Sequence, residues 1–296
     1  MGVVPRRLVV SGDDFGAAPE VNAAIIRAHR SGILTSTSLM VTGAAAAEAV
    51  GLAKEHPRLA VGLHLVLAQG RAAAPATKIP HLVTGGGTFG DQPIRAGLRY
   101  AWDYVARGGV ELRREIEAQL AAFASTGLPL AHLDGHLNMH LHPMVLPILL
   151  DLAPRYGIRA VRLSREDLGA ALRYDARHLA RKFFEGVVFR ILAAYARPRL
   201  AGARIVTADR VYGMHQTGHI DERYLLALIG SLPEGVSEIY CHPSEVTPAA
   251  LAPYQPGYDH AGELAALTSA RVRAAVESGN VQLVSYAELP ARHDRT

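Results

Sequence analysis

Residues 131–143 read AHLDGHLNMHLHP and carry four of the chain's fourteen histidines together with one aspartate. As a helix, the stretch sets His136 and His140 at i and i+4, the spacing of a zinc-protease helix. That motif needs Glu directly after the first histidine, and Leu137 stands there. Gly135 also weakens a helix at this point. As a strand end, His132, Asp134 and His136 fall on one face, because strand side chains alternate with period two. The chain then turns, and His140 and His142 line the loop before Pro143. The strand reading is preferred, and it decides the fold.

A strand at 130–135 takes its place in a series. Short apolar or β-branched runs at 7–11, 38–43, 60–65, 160–164, 203–208, 237–242 and 281–286 alternate with amphipathic segments such as EVNAAIIRAHRSG and DERYLLALIGSLP. Strand–helix alternation of this kind predicts a parallel sheet covered by helices. About eight strands in a chain of 296 residues predict an α/β (β/α) barrel or a distorted TIM-type relative of one. A doubly wound open sheet is the alternative, disfavoured because no GxGxxG opens the first helix. One domain over 1–296 is expected. Two regions break its rhythm: a Gly-, Ala- and Pro-rich loop at about 68–100, and a basic amphipathic segment at about 177–204. The second reads as a barrel helix with a solvated face, or as a patch that touches a membrane transiently.

Composition narrows the class. Thirty-one Lys and Arg against 27 Asp and Glu make a mildly basic chain, with much of the excess between Arg159 and Arg210. No helix-turn-helix, zinc-finger or RNP-like pattern accompanies that charge, so no nucleic-acid partner is expected. The single cysteine, Cys241, forbids an internal disulfide. No secretory leader or membrane-spanning run is evident, so the expected location is cytoplasmic, with peripheral contact at the inner membrane face as an extension.

Polar groups gather at the ends of the expected strands. The first runs into Asp13-Asp14, the third holds His64, the fourth ends in Asp134 and His136, and the seventh ends in His242-Pro243. In α/β folds the carboxyl ends of the strands form the active-site rim. Each group alone has a plain structural reading, such as an Asp capping the next helix. Together they suit one divalent cation, since Asp-His-His leaves a coordination position open. A second carboxylate beside such a ligand can act as general base. Zn²⁺ leads on this chemistry, with Mg²⁺, Mn²⁺, Co²⁺ and Ni²⁺ also tolerated. His29, His56, His81, His178, His215, His219, His260 and His293 have no comparable setting and are expected at the surface.

SGDDFG, GLHL, HLDGHLNMHLHP, ADRVYG and EIYCHP stand in an order and spacing that resemble the YdjC-like carbohydrate deacetylases, from Arg7 to about Leu289. Within that family the hopanoid biosynthesis-associated branch looks most similar. The resemblance implies a barrel of the polysaccharide-deacetylase kind and a metal held by Asp14, His64 and His136. It implies Asp13 as general base, an assignment the two aspartates could exchange, and His242 as general acid. The implied partner is an N-acetylated amino sugar, free or on a glycolipid, and a homodimer is compatible with it. Many family members read Asp-Ser-His-x-His-x-His where this chain has Gly135 and Asn138 in place of the serine and the middle histidine. Asn138 and His140 are accordingly expected to touch substrate. Phe89, in a closing loop at 84–92, is assigned to stack on a sugar ring, with loop anchoring as its plainer reading. Deacetylation of soluble chito-oligosaccharides is the alternative activity. A non-catalytic glycan- or lipid-binding relative is the alternative of a different class.

Overall fold

The run RRLVVSGDDF forms β1 (Arg6–Phe15) at the heart of a parallel sheet in a computed structural model that describes residues 5–90, 92–166, 169, 174–175 and 179–290. Its sheet partners are β2 (Ser36–Leu39), β3 (Ala60–Leu65), β6 (Leu133–Gly135), β7 (Arg210–Tyr212), β8 (Gly235–Cys241) and β9 (Val281–Leu283). A separate antiparallel pair is made by β4 (Gly70–Arg71) and β5 (Thr88–Phe89). The main sheet runs β6-β3-β2-β1-β8-β7, with β9 also on β1, and every pairing among its described residues is parallel. Single bridges from Leu133 to Val161 and from Ala160 to Val206 carry the curl beyond β6. The result is a distorted (β/α) barrel, as expected, rather than an open doubly wound sheet.

Alternation along β1 explains how one strand serves two surfaces. Leu8 and Val10 point outward into the main core, where Val21, Ala24 and Ile25 of α1 (Pro19–Ser31) cover them. Burying each such aliphatic side chain contributes roughly 1.5–3 kcal/mol. Gly12 lets α1 approach, since a Cβ there would lie 2.9 Å from Leu34 Cδ1 and 3.1 Å from Ile25 Cγ1. Val9 points the other way, into a smaller cluster with Val211, Val236 and Tyr240 inside the curl.

Among the described residues the further helices are α2 (Ala46–Glu55), α3 (Pro93–Arg107), α4 (Val110–Ser125), α5 (Leu146–Tyr156), α6 (Leu179–Gly202), α7 (Glu222–Ser231), α8 (His260–Thr268) and α9 (Ala270–Ser278). Among the described residues no helix is long and apolar enough to cross a membrane.

Several expected boundaries move. The strand at 38–43 stops at Leu39, and the runs at 160–164 and 203–208 supply only bridge residues, with the next strand starting at Arg210. The loop at 68–100 is shorter than expected: α3 already begins at Pro93, and the β4–β5 pair with a 3₁₀ turn at Ala76–Lys78 orders most of the rest. Asp91 lies outside the described residues, as do Arg177, His178 and His293. The segment at 177–204 is a helix over the part described.

Candidate active site

A bulge gives the site its two aspartates. The β1–β2 register shifts between Gly12 and Phe15, and Asp14 takes φ 64°, a left-handed conformation that L-residues other than Asn and Asp rarely accept. Without that break, neighbouring side chains would point to opposite faces. With it, both carboxylates are buried at the cleft end of the sheet, Asp13 at 3% and Asp14 at 1% exposure.

Asp14 Oδ1 stands 3.1 Å from His136 Nδ1 and 3.4 Å from His64 Nε2. Its other oxygen accepts a 2.6 Å hydrogen bond from Gln255 Nε2, so Oδ1 is left facing both rings. His64 is turned by its far nitrogen: Nδ1 lies 2.8 Å from Asp134 Oδ1 and 3.1 Å from Ser38 Oγ. This carboxylate–histidine arrangement orients a ring for metal ligation. After His136, Leu137 (φ 55°) and Asn138 (φ 57°) are both left-handed and swing the chain into a 3₁₀ turn. Two consecutive non-glycine residues in that region store backbone strain, which concentrates at functional sites.

Three observations fit this trio to a divalent cation. Two ligands about 2.1 Å from a tetrahedral ion lie about 3.4 Å apart, close to the separations seen here. One ligand atom from each of the three lies within 4.8 Å of those of the others, and all three residues are buried. Charge also calls for a cation: Asp13, Asp14 and Asp134 bring three carboxylates against, among the described residues, the one guanidinium of Arg162. In the ion-free protein that deficit is visible in His64. Burial works to lower its pKa, but Asp134 and Asp14 outweigh it and push it up to about 10. Burial works to raise the Asp14 pKa, yet His136 and His64 hold it well below the ordinary carboxyl value.

Asp13 is held differently. Arg162 donates from Nη1 at 2.7 Å and Nη2 at 2.8 Å to its two oxygens, and Ser38 Oγ donates at 3.3 Å. The same guanidinium reaches Asp134 at 2.7 Å and Glu238 at 2.9 Å, with Tyr240 4.6 Å from its carbon. Arg162 stands in a run expected only as a strand. An arginine inside AVRLS, at a position alternating into the barrel, was the signal that could have marked it. Gln255 and Ser38 gave no such signal.

His242 lines the same cleft, its backbone N–H donating to Glu263 at 2.5 Å and its carbonyl accepting from His260 Nδ1 at 2.7 Å. Burial holds its pKa below the usual imidazole value, although Asp14 and Asp13 pull upward. The cleft itself is about 800 Å³. Asp13, His64, His136 and His242 form its buried polar end, and Ile94, Leu98 and Phe184 its exposed apolar mouth.

Three expectations need correction. Phe89 is 2% exposed and packs in the main core, so it offers no face to a sugar and acts as the loop's anchor. His140 is fully buried, its Nε2 donating to the Arg162 carbonyl at 2.8 Å. It bonds to the arginine's backbone and is not among the residues that line the cleft. His215 and His260, expected at the surface, are both buried. Asn138 does line the cleft, hydrogen-bonded to Ser164 at 2.5 Å, and His142 lines it too.

The comparisons with known proteins point the same way. A Geobacillus stearothermophilus carbohydrate deacetylase is 32% identical over 96% of this chain and 98% of its own. A human carbohydrate deacetylase is 31% identical over 97% and 93%. The carbohydrate deacetylase of Brevibacillus brevis is 44% identical, but the match spans 51% of this chain and 57% of that protein. An Enterococcus faecalis V583 crystal structure, named for cellobiose-phosphate cleavage, superposes with a TM-score of 0.71 at 27% identity over 95% of this chain and 98% of that one. The model of the family described as YdjC-like protein matches residues 7–278, and the chain belongs to that family.

Proposed function

We propose that the protein is a metal-dependent N-deacetylase of an N-acetylated amino sugar. The observation that carries this is the convergence of Asp14, His64 and His136 beside a separately clamped Asp13, at the polar end of a cleft that also holds His242. The names of its full-length relatives support the reaction class. When bound by Asp14, His64 and His136, a divalent ion supplies Lewis acidity toward a carbonyl oxygen and lowers the pKa of water.

The chain's own groups do the rest. Asp13 accepts the proton of the attacking water, and the Arg162 fork aims its carboxylate. Gln255 holds Asp14 in its ligand pose. His242 donates to the departing amine nitrogen. The proton that Asp13 takes from water replaces over the cycle the one His242 gives to the amine, and the lowered pKa of the ring favours that donation once it is protonated. The products are acetate and a free amino sugar.

For the sugar's carrier we favour an apolar aglycone, in the form of N-acetylglucosaminyl bacteriohopanetetrol, handled at the inner face of the cytoplasmic membrane. Its support is the apolar mouth of the cleft at Ile94, Leu98 and Phe184, together with the hopanoid-branch likeness of the sequence motifs. A second reading, soluble chito-oligosaccharides, is favoured by a Serratia marcescens chitooligosaccharide deacetylase, 32% identical over 55% of this chain. Acetate release from the two substrates, after chelation and metal add-back, tests both. Turnover of the glycolipid alone supports the first and turnover of diacetylchitobiose alone the second. No acetate from either, with metal bound, overturns the deacetylase reading.

A further inference from the structure

The helices that flank the cleft carry more apolar surface than the cleft uses. On α3, Ile94 (71% exposed), Leu98 (68%), Trp102 (64%) and Val105 (82%) recur at helical spacing and form one stripe. On α6, Leu179, Phe183, Val187 and Ile191 recur every four residues, all exposed, with Phe184 beside them. Ile94 and Leu98 line the cleft from one helix, and Phe184 and Val188 from the other. Each stripe is therefore an outward continuation of a cleft wall.

Charge borders both stripes on the side away from the cleft. At 100° per residue, Arg95 falls beside Trp102 on α3, and Arg190 and Arg197 fall beside Phe183 on α6. All three arginines are exposed. The only acidic residues in the two helices are Asp103, which is buried, and Glu185, which is half-buried. A water-facing helix has no use for five exposed apolar residues in register, and a partner protein's apolar patch would not call for arginines without acidic company. Apolar and aromatic residues flanked by arginines are the pattern of a helix lying in a lipid interface.

We propose that α3 and α6 dock the protein on the surface of an anionic phospholipid bilayer, with Trp102, Val105, Phe183 and Ile191 entering the headgroup–acyl boundary and the cleft mouth opening between the two helices onto the membrane. Docking deepens the glycolipid reading but does not depend on it, because the surface is argued from the helices alone. In that pose a lipid-borne sugar reaches the polar end of the cleft while its apolar carrier stays among Ile94, Leu98 and Phe184.

Trp102 is the chain's only tryptophan, so intrinsic fluorescence reports this surface directly. Vesicles containing phosphatidylglycerol at low salt should shift its emission to the blue and co-sediment the protein, and phosphatidylcholine vesicles should do neither. Val105→Glu and the pair Phe183→Glu/Ile191→Glu should each lower partitioning at least about tenfold. Their ion affinity by calorimetry should be unchanged, which shows that they fold. No blue shift of the wild-type protein with any vesicle overturns the proposal. So does undiminished binding by the variants. A blue shift without lipid that tracks protein concentration and a doubled mass also overturns it, and assigns the face to a second copy of the chain. None of these readouts uses acetate release, so failure of docking and failure of the deacetylase reading are separable.

Discussion

Arg162 closes on Asp13 with both terminal nitrogens, at 2.7 and 2.8 Å, in a place where neither side chain is more than 4% exposed. A buried pair of this kind is worth little against an apolar replacement of both partners, but removing one partner strands the other. Arg162→Met would leave Asp13, Asp134 and Glu238 without their cation and should cost roughly 3–5 kcal/mol in urea unfolding. Asp13→Asn should leave the ion bound and lower kcat by about 10²–10⁴-fold. An Asp13→Asn protein that keeps full turnover would remove the general-base assignment.

The ion should enter in exchange for a proton. His64 is pushed up to about 10 in the ion-free cluster, against the pull of burial, by Asp134 and Asp14, so at pH 7.5 it carries a proton that a ligating imidazole must lose. Calorimetric titration with Zn²⁺ in two buffers of different ionisation enthalpy should show about one proton released per ion. Asp134→Asn should weaken affinity about 10–100-fold by freeing the His64 ring. Proton-free binding would contradict the charge deficit described for the cluster.

Much of this site was legible because period-two alternation makes strand-end residues predictable. His64 and Asp134 pair across β3 and β6, where the strand readings of GLHL and LAHLDG put them, while His136 opens the 3₁₀ turn that follows. Asp13 and Asp14 were expected together at the strand end, but the bulge that lets two neighbours share one surface was not legible, because a bulge is a register fact between two strands. His140 was misplaced for a related reason. Its orientation follows from left-handed backbone at Leu137 and Asn138, which no local propensity announces. Gln255 lies 241 residues from the aspartate it holds, and only the tertiary fold brings the two together.

Gly135 stands where the family resemblance leads one to expect serine, and its surroundings favour glycine. A Cβ would stand 3.1 Å from the Leu65 carbonyl oxygen and 3.2 Å from both Cβ and N of His140. Backbone cannot yield as a side-chain tip does, so Gly135→Ser should destabilise by about 1–3 kcal/mol. The cost should be partly relieved in a double variant that removes the Cβ of residue 140, His140→Gly. Thermal unfolding of the two single variants and the double variant measures that coupling, and strict additivity would contradict the contact.

His140 should also set part of the acid stability. Its Nε2–H donates to the Arg162 carbonyl, leaving Nδ1 bare and buried, and burial lowers its pKa to about 4. The unfolded chain titrates this group near 6.5. Above that value both states are neutral and the contribution of the neutral ring is fully present. As pH falls below 6.5 the unfolded chain takes up the proton first, and the contribution drains away until the folded state also protonates, near 4. The ceiling on the loss is about 3 kcal/mol. Urea unfolding of wild type and His140→Asn between pH 7.5 and 4.5 isolates it, since the other titrating groups are common to both. The stability difference between the two proteins should shrink steadily across that window. A difference that stays level would mean that the ring titrates alike in the folded and unfolded chain, and a difference that grows would mean that the buried ring already carries its proton and is not held as a neutral imidazole.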